Sequence, residues 1–167
     1  MANKFKQDYE RYKKEKFTVS CYLKSLVSES LRYIMFGRLS EKWGGVKLIS
    51  KVIGHRMGNE IDFSCIGSGI ILKHPYCITV NPKAVLGQNV TLFKGCTIGA
   101  IRKKGVPVIG NDVVICSNAM VCGNIKVGND VLIAAGAFVD FDVPDHSVVV
   151  GNPGVIHYKK NATVDYQ

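Results

Sequence analysis

Residues 109–144 read IGNDVVICSNAMVCGNIKVGNDVLIAAGAFVDFDVP, and an aliphatic residue returns at every sixth position of this stretch. These positions are Ile109, Ile115, Val121, Val127, Ile133 and Val139. Between them stand turn formers such as Gly110-Asn111-Asp112 and Gly128-Asn129-Asp130, which readily take positive φ or bond their own backbone. A period of six fits neither a helix nor plain strand alternation. It predicts a solenoid of short parallel strands separated by turns.

The same period extends backwards to Ile66, with two interruptions. Its members there are Ile66, Leu72 and Ile78, then, after a two-residue slip, Val80, Leu86, Leu92 and Ile98. A second residue suited to burial follows four places later in most hexads: Ile70, Ala84, Val90, Cys96, Val113, Ala119, Ile125, Val131, Ala137 and Val143. The second interruption, Ala100 to Val108, predicts a loop that projects from the solenoid and is a candidate for function.

Several segments inside the repeats carry a family resemblance. They are Leu72-Lys73-His74, Ile78-Thr79-Val80-Asn81-Pro82, Gly123-Asn124-Ile125 and Val150-Gly151-Asn152-Pro153. With the hexads, they resemble the hexapeptide-repeat acyltransferases and, within them, the serine acetyltransferase branch. The resemblance implies a mostly β fold, namely a left-handed parallel β-helix with three hexads per coil, an exception to the right-handed crossover rule.

The chain divides by pattern into three parts. Residues 1–58 form an amino-terminal helical region, residues 59–156 the β-helix, and residues 157–167 a polar tail expected to fray. Helical spacing of apolar residues predicts helices from Ser20 to Leu39 and from Glu41 to His55. We expect their apolar stripes to pack and to cap the open first coil, because repeat proteins need capped ends.

Composition narrows the functional class. No apolar run in the 167 residues approaches the roughly 18 residues of a membrane span, and the amino terminus is too polar for a secretory signal, so a cytoplasmic location is expected. The six cysteines form no metal-type pairs and are expected to be reduced. No metal or nucleotide fingerprint is present.

The net charge of +9 is concentrated in residues 1–60, which hold 13 Lys or Arg against 6 Asp or Glu. Such an excess attracts nucleic acid, an acidic membrane face or a phosphorylated substrate. No nucleic-acid motif accompanies it, and a solvated helix face is the favoured interpretation.

His74 is the candidate general base. It falls between the six-residue positions and should face outward, and an imidazole with a pKa near 6.5 can accept a proton and then return it. The resemblance matches it to the catalytic histidine of the family. The family also has an acidic residue just before the first coil, which fixes the histidine tautomer. Glu60 is the matching position if one residue is missing from the turn, and Asp62 is the fallback.

Two positions depart from the family pattern. An aspartate that holds the amino group of serine is replaced by Lys73, and a loop histidine before proline is replaced by Val106. Both changes argue against free serine as the acceptor. The short layout also resembles acetyltransferases of polysaccharide and capsule pathways, so a serine-like acceptor and a sugar hydroxyl both stay open.

The resemblance implies that acetyl-CoA binds in the cleft between subunits of a homotrimer. Matching small residues are Gly99, Ala100, Ser117 and Ala135, which would let a ligand approach the backbone closely. Arg102 and Lys103, with Lys104, Lys159 and Lys160, are candidates for the phosphates of coenzyme A. The alternative is a non-catalytic solenoid that binds a partner or an anionic surface through its basic helices, since fold alone does not prove chemistry.

Overall fold

A computed structural model describes residues 2–101 and 105–166. Four helices come first: α1 (Ala2–Lys13), α2 (Cys21–Val27), α3 (Glu29–Ser40) and α4 (Gly44–Arg56). Thirteen short strands follow: β1 (Ile71–Lys73), β2 (Thr79–Val80), β3 (Val85–Leu86), β4 (Thr91–Phe93), β5 (Thr97–Gly99), β6 (Val108–Ile109), β7 (Val114–Ile115), β8 (Met120–Cys122), β9 (Lys126–Val127), β10 (Val131–Ile133), β11 (Phe138–Val139), β12 (Ser147–Val150) and β13 (Val155–Tyr158). None of the described helices is long and apolar enough to cross a membrane.

Consecutive strands enter three different sheets. The first sheet has the order β1-β4-β7-β10-β12-β13, the second β2-β5-β8-β11 and the third β3-β6-β9. All pairings are parallel except that of β12 with β13, which is an antiparallel hairpin. The chain therefore returns to the same sheet after every third strand up to β10. The predicted parallel strand architecture with helices at its amino terminus is confirmed.

The register between coils measures the repeat. Val80 pairs with Ile98, 18 residues later, and Ile109 pairs with Val127 at the same separation. Eighteen residues are three hexads, as predicted. Ile98 pairs with Val121, 23 residues later, because five extra residues enter between β5 and β6. The interruption predicted there is therefore present, although residues 102–104 within it lie outside the described part of the chain.

The core is built from the hexad positions. The six-residue series from Ile66 to Val139 and the second series from Ile70 to Val143 are buried throughout. Side chains at these positions point inward from all three sheets and form one continuous apolar cluster. The hexad analysis therefore predicted the buried set correctly, because each short strand repeats the same inward positions.

The helical region differs from the prediction. The single helix expected from Ser20 to Leu39 is wrong, since Ser28 adopts an extended backbone (ψ 122°) and its side chain caps α3 by accepting from the amide of Leu31. On α2, Leu23 and Val27 are 71% and 86% exposed. The expected apolar stripe of α4 also lies largely at the surface, with Ile49 and Val52 exposed. Within the described part of the chain the predicted stripes pack only in part, since Leu31, Ile34 and Met35 on α3 are buried in the core.

The first coil is capped by α3, as expected, and also by α1, which lies outside the two helices predicted to cap it. Asp8 on α1 accepts hydrogen bonds from the amides of Gly69 and Ile70, at 2.6 and 2.9 Å. Arg38 on α3 donates to the carbonyls of Phe63 and Ile66, at 3.0 and 2.9 Å. Helix side chains thus provide hydrogen-bond partners that a preceding coil would otherwise supply.

The carboxyl-terminal tail is ordered through residue 166. β13 pairs with β12, and a 3₁₀ turn at Val164–Tyr166 follows, with the ring of Tyr166 packed edge-on against Phe93. The frayed tail expected for residues 157–167 is therefore wrong for residues 157–166, because backbone pairing and ring contacts hold them. All six cysteines are free thiols.

Candidate active site

His74 lies at the corner where the chain leaves the first sheet after β1 and turns towards β2 in the second sheet. Its backbone has a φ of 52°, and its side chain is exposed. The neighbouring hexad residues Leu72 and Ile78 are fully buried. The outward orientation predicted for His74 is confirmed, and the imidazole is free to meet a ligand on a rigid corner.

Asn59 fixes the turn that follows His74. Its side-chain amide donates to the carbonyl of Pro75 at 2.7 Å, and its oxygen accepts from the amide of Ile78 at 2.8 Å. Asn59 is only 6% exposed. The hydroxyl of Tyr76 also donates to the carboxylate of Glu29 on α3. The sequence analysis missed Asn59 as a site residue; its position beside the predicted acid Glu60 was the available signal.

Glu60 lies on the open edge of the second sheet, with an exposed side chain. Its amide donates to the carbonyl of Ile78 at 2.9 Å, and its carbonyl accepts from the amide of Val80 at 2.8 Å. The backbone of Glu60 is therefore tied to β2, a few residues after His74. Within residues 2–101 and 105–166 its carboxylate makes no hydrogen bond to the imidazole of His74. The carboxylate faces solvent beside the site.

Asp62, the fallback acid, is engaged locally. Its Oδ1 accepts from the amide of Ser64 at 3.0 Å and from the Ser64 hydroxyl at 2.6 Å. The Ser64 hydroxyl is the main cause of a lowered pKa at Asp62; partial burial opposes it, and Lys47 and Lys51 on α4 lower it further. An oxygen already bonded to Ser64 is less available to orient a histidine.

The small residues predicted to contact the donor fall into two groups. Ser117 and Ala135 stand at the same corner as His74 on later coils, where the amide of Gly136 donates to the carbonyl of Ser117 at 3.0 Å. Gly99 ends β5, and Ala100 follows it at the opposite end of the second sheet. The predicted phosphate contacts Arg102 and Lys103 lie outside the described residues.

A cleft of about 830 Å³ opens between α4 and the beginning of the coils. The coil side contributes Glu60, Asp62, Asn81 and Gly99, with Pro82 and the backbone of Val80 and Ile98, whose side chains point into the core. The α4 side contributes Lys47, Lys51, His55 and Arg56. From the sequence, these basic residues were expected to form a solvated helix face. The spacing of four residues between Lys47, Lys51 and His55 was a signal that these three share a side of the helix.

Lys73 and Val106, the two departures from the family pattern, each contact another part of the chain. The ammonium of Lys73 lies 5.9 Å from the ring centroid of Tyr12 on α1, within the range of a cation–π contact. Val106 packs partly buried against the core, just before strand β6. Among the described residues, no cluster of three His, Cys, Asp or Glu side chains is arranged to hold a metal ion.

A family model identifies the class of protein that this chain resembles. Residues 107–140 match the model of the bacterial transferase hexapeptide (six repeats). Within that class, the chain is 39% identical over 112 residues to the serine acetyltransferase of Bacillus pumilus. The matched stretch covers 65% of this chain and 52% of that relative. The chain thus carries the hexapeptide repeat and is similar to serine acetyltransferases, and the resemblance predicted from the sequence is confirmed.

Solved structures agree with this similarity. Serine acetyltransferase of Neisseria gonorrhoeae in complex with serine superposes with a TM-score of 0.75 at 28% identity, over 93% of this chain and 68% of that chain. Serine acetyltransferase of Brucella abortus strain S19 in complex with coenzyme A gives a TM-score of 0.73 at 26% identity, over 95% and 68%. The chain spans about half the length of the curated relatives it matches.

Proposed function

We propose that the protein is an acetyl-CoA-dependent O-acetyltransferase that transfers an acetyl group to a hydroxyl of a small acceptor. The observation that carries the proposal is the outward His74 on a fixed corner of a hexapeptide-repeat coil similar to those of serine acetyltransferases. The winding we infer is that of the family, a left-handed parallel β-helix.

In this mechanism the hydroxyl oxygen of the acceptor attacks the carbonyl carbon of the thioester, and the imidazole of His74 accepts the hydroxyl proton at the same time. The tetrahedral intermediate collapses by breaking the carbon–sulfur bond. The imidazolium returns the proton to the departing thiolate of coenzyme A, so the imidazole regenerates itself. Glu60, exposed beside the same sheet, would stabilise the imidazolium after a side-chain rotation towards His74.

Acetyl-CoA would lie along the second sheet. Ser117 and Ala135 share the His74 corner, while Gly99 and Ala100 lie at the far end of the sheet, and all four have small side chains that let a ligand approach the backbone. Arg102 and Lys103 remain proposed contacts for its phosphates. A cytoplasmic homotrimer, with the donor between subunits, completes the proposal.

The acceptor is either serine-like or a sugar. Similarity to enzymes solved with serine supports serine. The positions of Lys73, held near Tyr12, and Val106, packed on the core, support a different acceptor, because neither can supply the family's aspartate or histidine contact.

Release of coenzyme A, measured against serine, amino sugars and hexoses in turn, tests the activity. With the acceptor that supports turnover, His74→Ala should reduce the rate by at least about a hundredfold, the usual cost of losing a general base. His157→Ala, which removes an exposed histidine from β13, is the matched control. An unchanged rate in His74→Ala would sink the assignment.

The alternative is a non-catalytic solenoid that docks through its amino-terminal helices. The exposed Leu23 and Val27 on α2 favour this function. Calorimetric titration with acetyl-CoA separates the two functions. Absence of binding at millimolar concentration would favour docking, whereas saturable binding supports the enzyme.

A further inference from the structure

The wall that α4 presents to the cleft is cationic along its length. Lys47, Lys51 and His55 follow one another at intervals of four residues, so they form a single stripe on the helix, and Arg56 adjoins its end. All four side chains are exposed and line the cleft. The cleft therefore has one positively charged side, on α4, and a coil side that carries the carboxylates of Glu60 and Asp62.

This charge is not neutralised by ion pairs. Elsewhere in the helical region, lysines and arginines pair with carboxylates, as in Lys4–Glu41 at 3.3 Å and Lys24–Glu15 at 3.9 Å. Across the described ranges, no carboxylate lies within ion-pair distance of Lys47, Lys51 or Arg56. The nearby Asp62 is bonded to Ser64, but it is close enough for Lys47 and Lys51 to lower its pKa, so it offsets part of this charge.

The stripe lies in a cleft that extends to the second sheet. The cleft is lined by Glu60 and Thr79, which form the first pairing of that sheet, but it does not include His74. A molecule held by α4 must therefore extend along this edge of the sheet to bring a hydroxyl to His74.

We propose that the acceptor carries an anionic group, a phosphate or a carboxylate. The stripe and the adjoining Arg56 bind this group, while the hydroxyl of the acceptor is directed towards His74. The inference rests on the proposed function and specifies its substrate class. Lysine and arginine donate charge-assisted hydrogen bonds to both kinds of anion.

Binding of three probes to the full chain, without acetyl-CoA, tests the charge requirement. Glucose 1-phosphate, glucuronate and glucose differ mainly in their anionic group. We expect the phosphate or the carboxylate to bind at least about tenfold more tightly than glucose, and the tighter of the two identifies the group. Lys47→Gln/Lys51→Gln should remove most of that preference. Lys13→Gln/Lys126→Gln, which removes the same charge from exposed positions outside the cleft, should keep it.

Equal affinity for all three probes, or equal loss in both double variants, overturns the proposal. Competition with coenzyme A tests whether the stripe binds the phosphates of the acetyl donor instead. If coenzyme A displaces glucose 1-phosphate and loses affinity in parallel in Lys47→Gln/Lys51→Gln, the stripe binds the donor, and the acceptor assignment fails. Displacement without that loss supports it.

The proposed function fails by a different measurement. Turnover that survives His74→Ala removes the acetyltransferase mechanism even if the charged probes bind selectively. Turnover that requires His74 but binding that ignores charge leaves the enzyme intact and overturns only the anionic acceptor.

Discussion

The Nε of Arg38 lies 2.8 Å from Oδ2 of Asp8, and the two side chains are 3% and 0% exposed. The pair joins α3 to α1 across the open edge of the first coil. Each member also bonds backbone there: Asp8 accepts from the amides of Gly69 and Ile70, and Arg38 donates to the carbonyls of residues 63, 66 and 67. The pair therefore stabilises the coil edge as well as the contact between the helices.

Arg38→Met should lower the free energy of unfolding by about 3–5 kcal/mol, because it leaves a buried carboxylate without its counter-ion and removes the guanidinium hydrogen bonds to three backbone carbonyls. Adding Asp8→Asn should not restore stability, since the backbone carbonyls still lack Arg38. Urea unfolding measures both. The control is Arg32→Met, whose partly exposed side chain bonds the carbonyl of Leu26 and no other group among the described residues, and which should cost less than about 0.5 kcal/mol. If the double variant regains the wild-type free energy of unfolding, Arg38 serves only to neutralise the charge of Asp8.

The coils were predictable from the sequence and the helical contacts were not. Hexad positions such as Ile115 and Ile133 repeat at a fixed separation, so a local pattern determines which side chains point inward. Asp8 and Arg38 are 30 residues apart, and only the docking of α1 and α3 brings them together. The break at Ser28 and the exposed stripe of α4 likewise depend on packing, which periodicity alone does not report.

Asn59 is expected to act as a positioning residue for His74. Asn59→Ala removes the bonds to Pro75 and Ile78, so the turn after His74 loses two restraints, and acetyl transfer should fall by about ten- to a hundredfold through misplacement of the base. The fall should appear in kcat, with the affinity for acetyl-CoA unchanged.

The matched control is Asn111→Ala, which removes a hydrogen bond to the amide of Gln88 at a different corner of the coils. Stability should decrease in both variants, by about 1–3 kcal/mol for Asn59→Ala because buried backbone groups lose partners. A kcat that is the same in the two variants after correction for the folded fraction would limit Asn59 to a structural role.

The glycine at the turn of each coil is required for close approach between coils. A Cβ on Gly110 would lie 2.5 Å from the carbonyl oxygen of Gly128, and one on Gly87 would lie 2.6 Å from that of Gly110. Positive φ is instead taken by Asn89 and Asp112, two residues later in each turn. The sequence predicted the turns; the closeness of the coils at the glycines required the structure.

Gly110→Ala should therefore destabilise the protein by about 1–3 kcal/mol, because the added methyl group meets rigid backbone of the next coil. Gly45→Ala is the control: it lies inside α4 with nothing within 4 Å of an added Cβ, so the same substitution should stabilise by about 0.5–1 kcal/mol. The two urea midpoints should move in opposite directions. A shift in the same direction for both variants would exclude the contact between coils as the cause.

The candidate site was predicted in part for a similar reason. His74 follows from its place between two inward hexad positions, Leu72 and Ile78, which the period determines. Lys47 and Lys51 became part of a cleft only through the position of α4 beside Glu60, which no local pattern encodes.

Asp130 anchors the carboxyl-terminal tail through several hydrogen bonds. Nδ1 of His146 lies 2.8 Å from its Oδ2, and the carboxylate accepts from the amides of Ala162 and Thr163 and from the Thr163 hydroxyl, at 3.1, 3.1 and 2.9 Å. Burial raises the pKa of Asp130, but the hydrogen bonds from His146, Thr163 and Ala162 together outweigh it and lower the pKa to about 2. The tail is thus attached to the charged form of Asp130.

A folded-state pKa below the ordinary value of about 3.9 means that Asp130 stabilises the attached tail above that pH and loses this contribution as pH falls towards 2. We expect the protection factors of the Ala162 and Thr163 amides, measured by NMR and corrected for the intrinsic exchange rate, to fall over this interval. Asp130→Asn should show low protection factors already at neutral pH with little further acid dependence, because an amide side chain does not titrate. Asp165→Asn, which alters an exposed carboxylate of the same tail, should keep the wild-type profile. An acid-dependent release of Ala162 that persists in Asp130→Asn would assign the transition to another carboxylate.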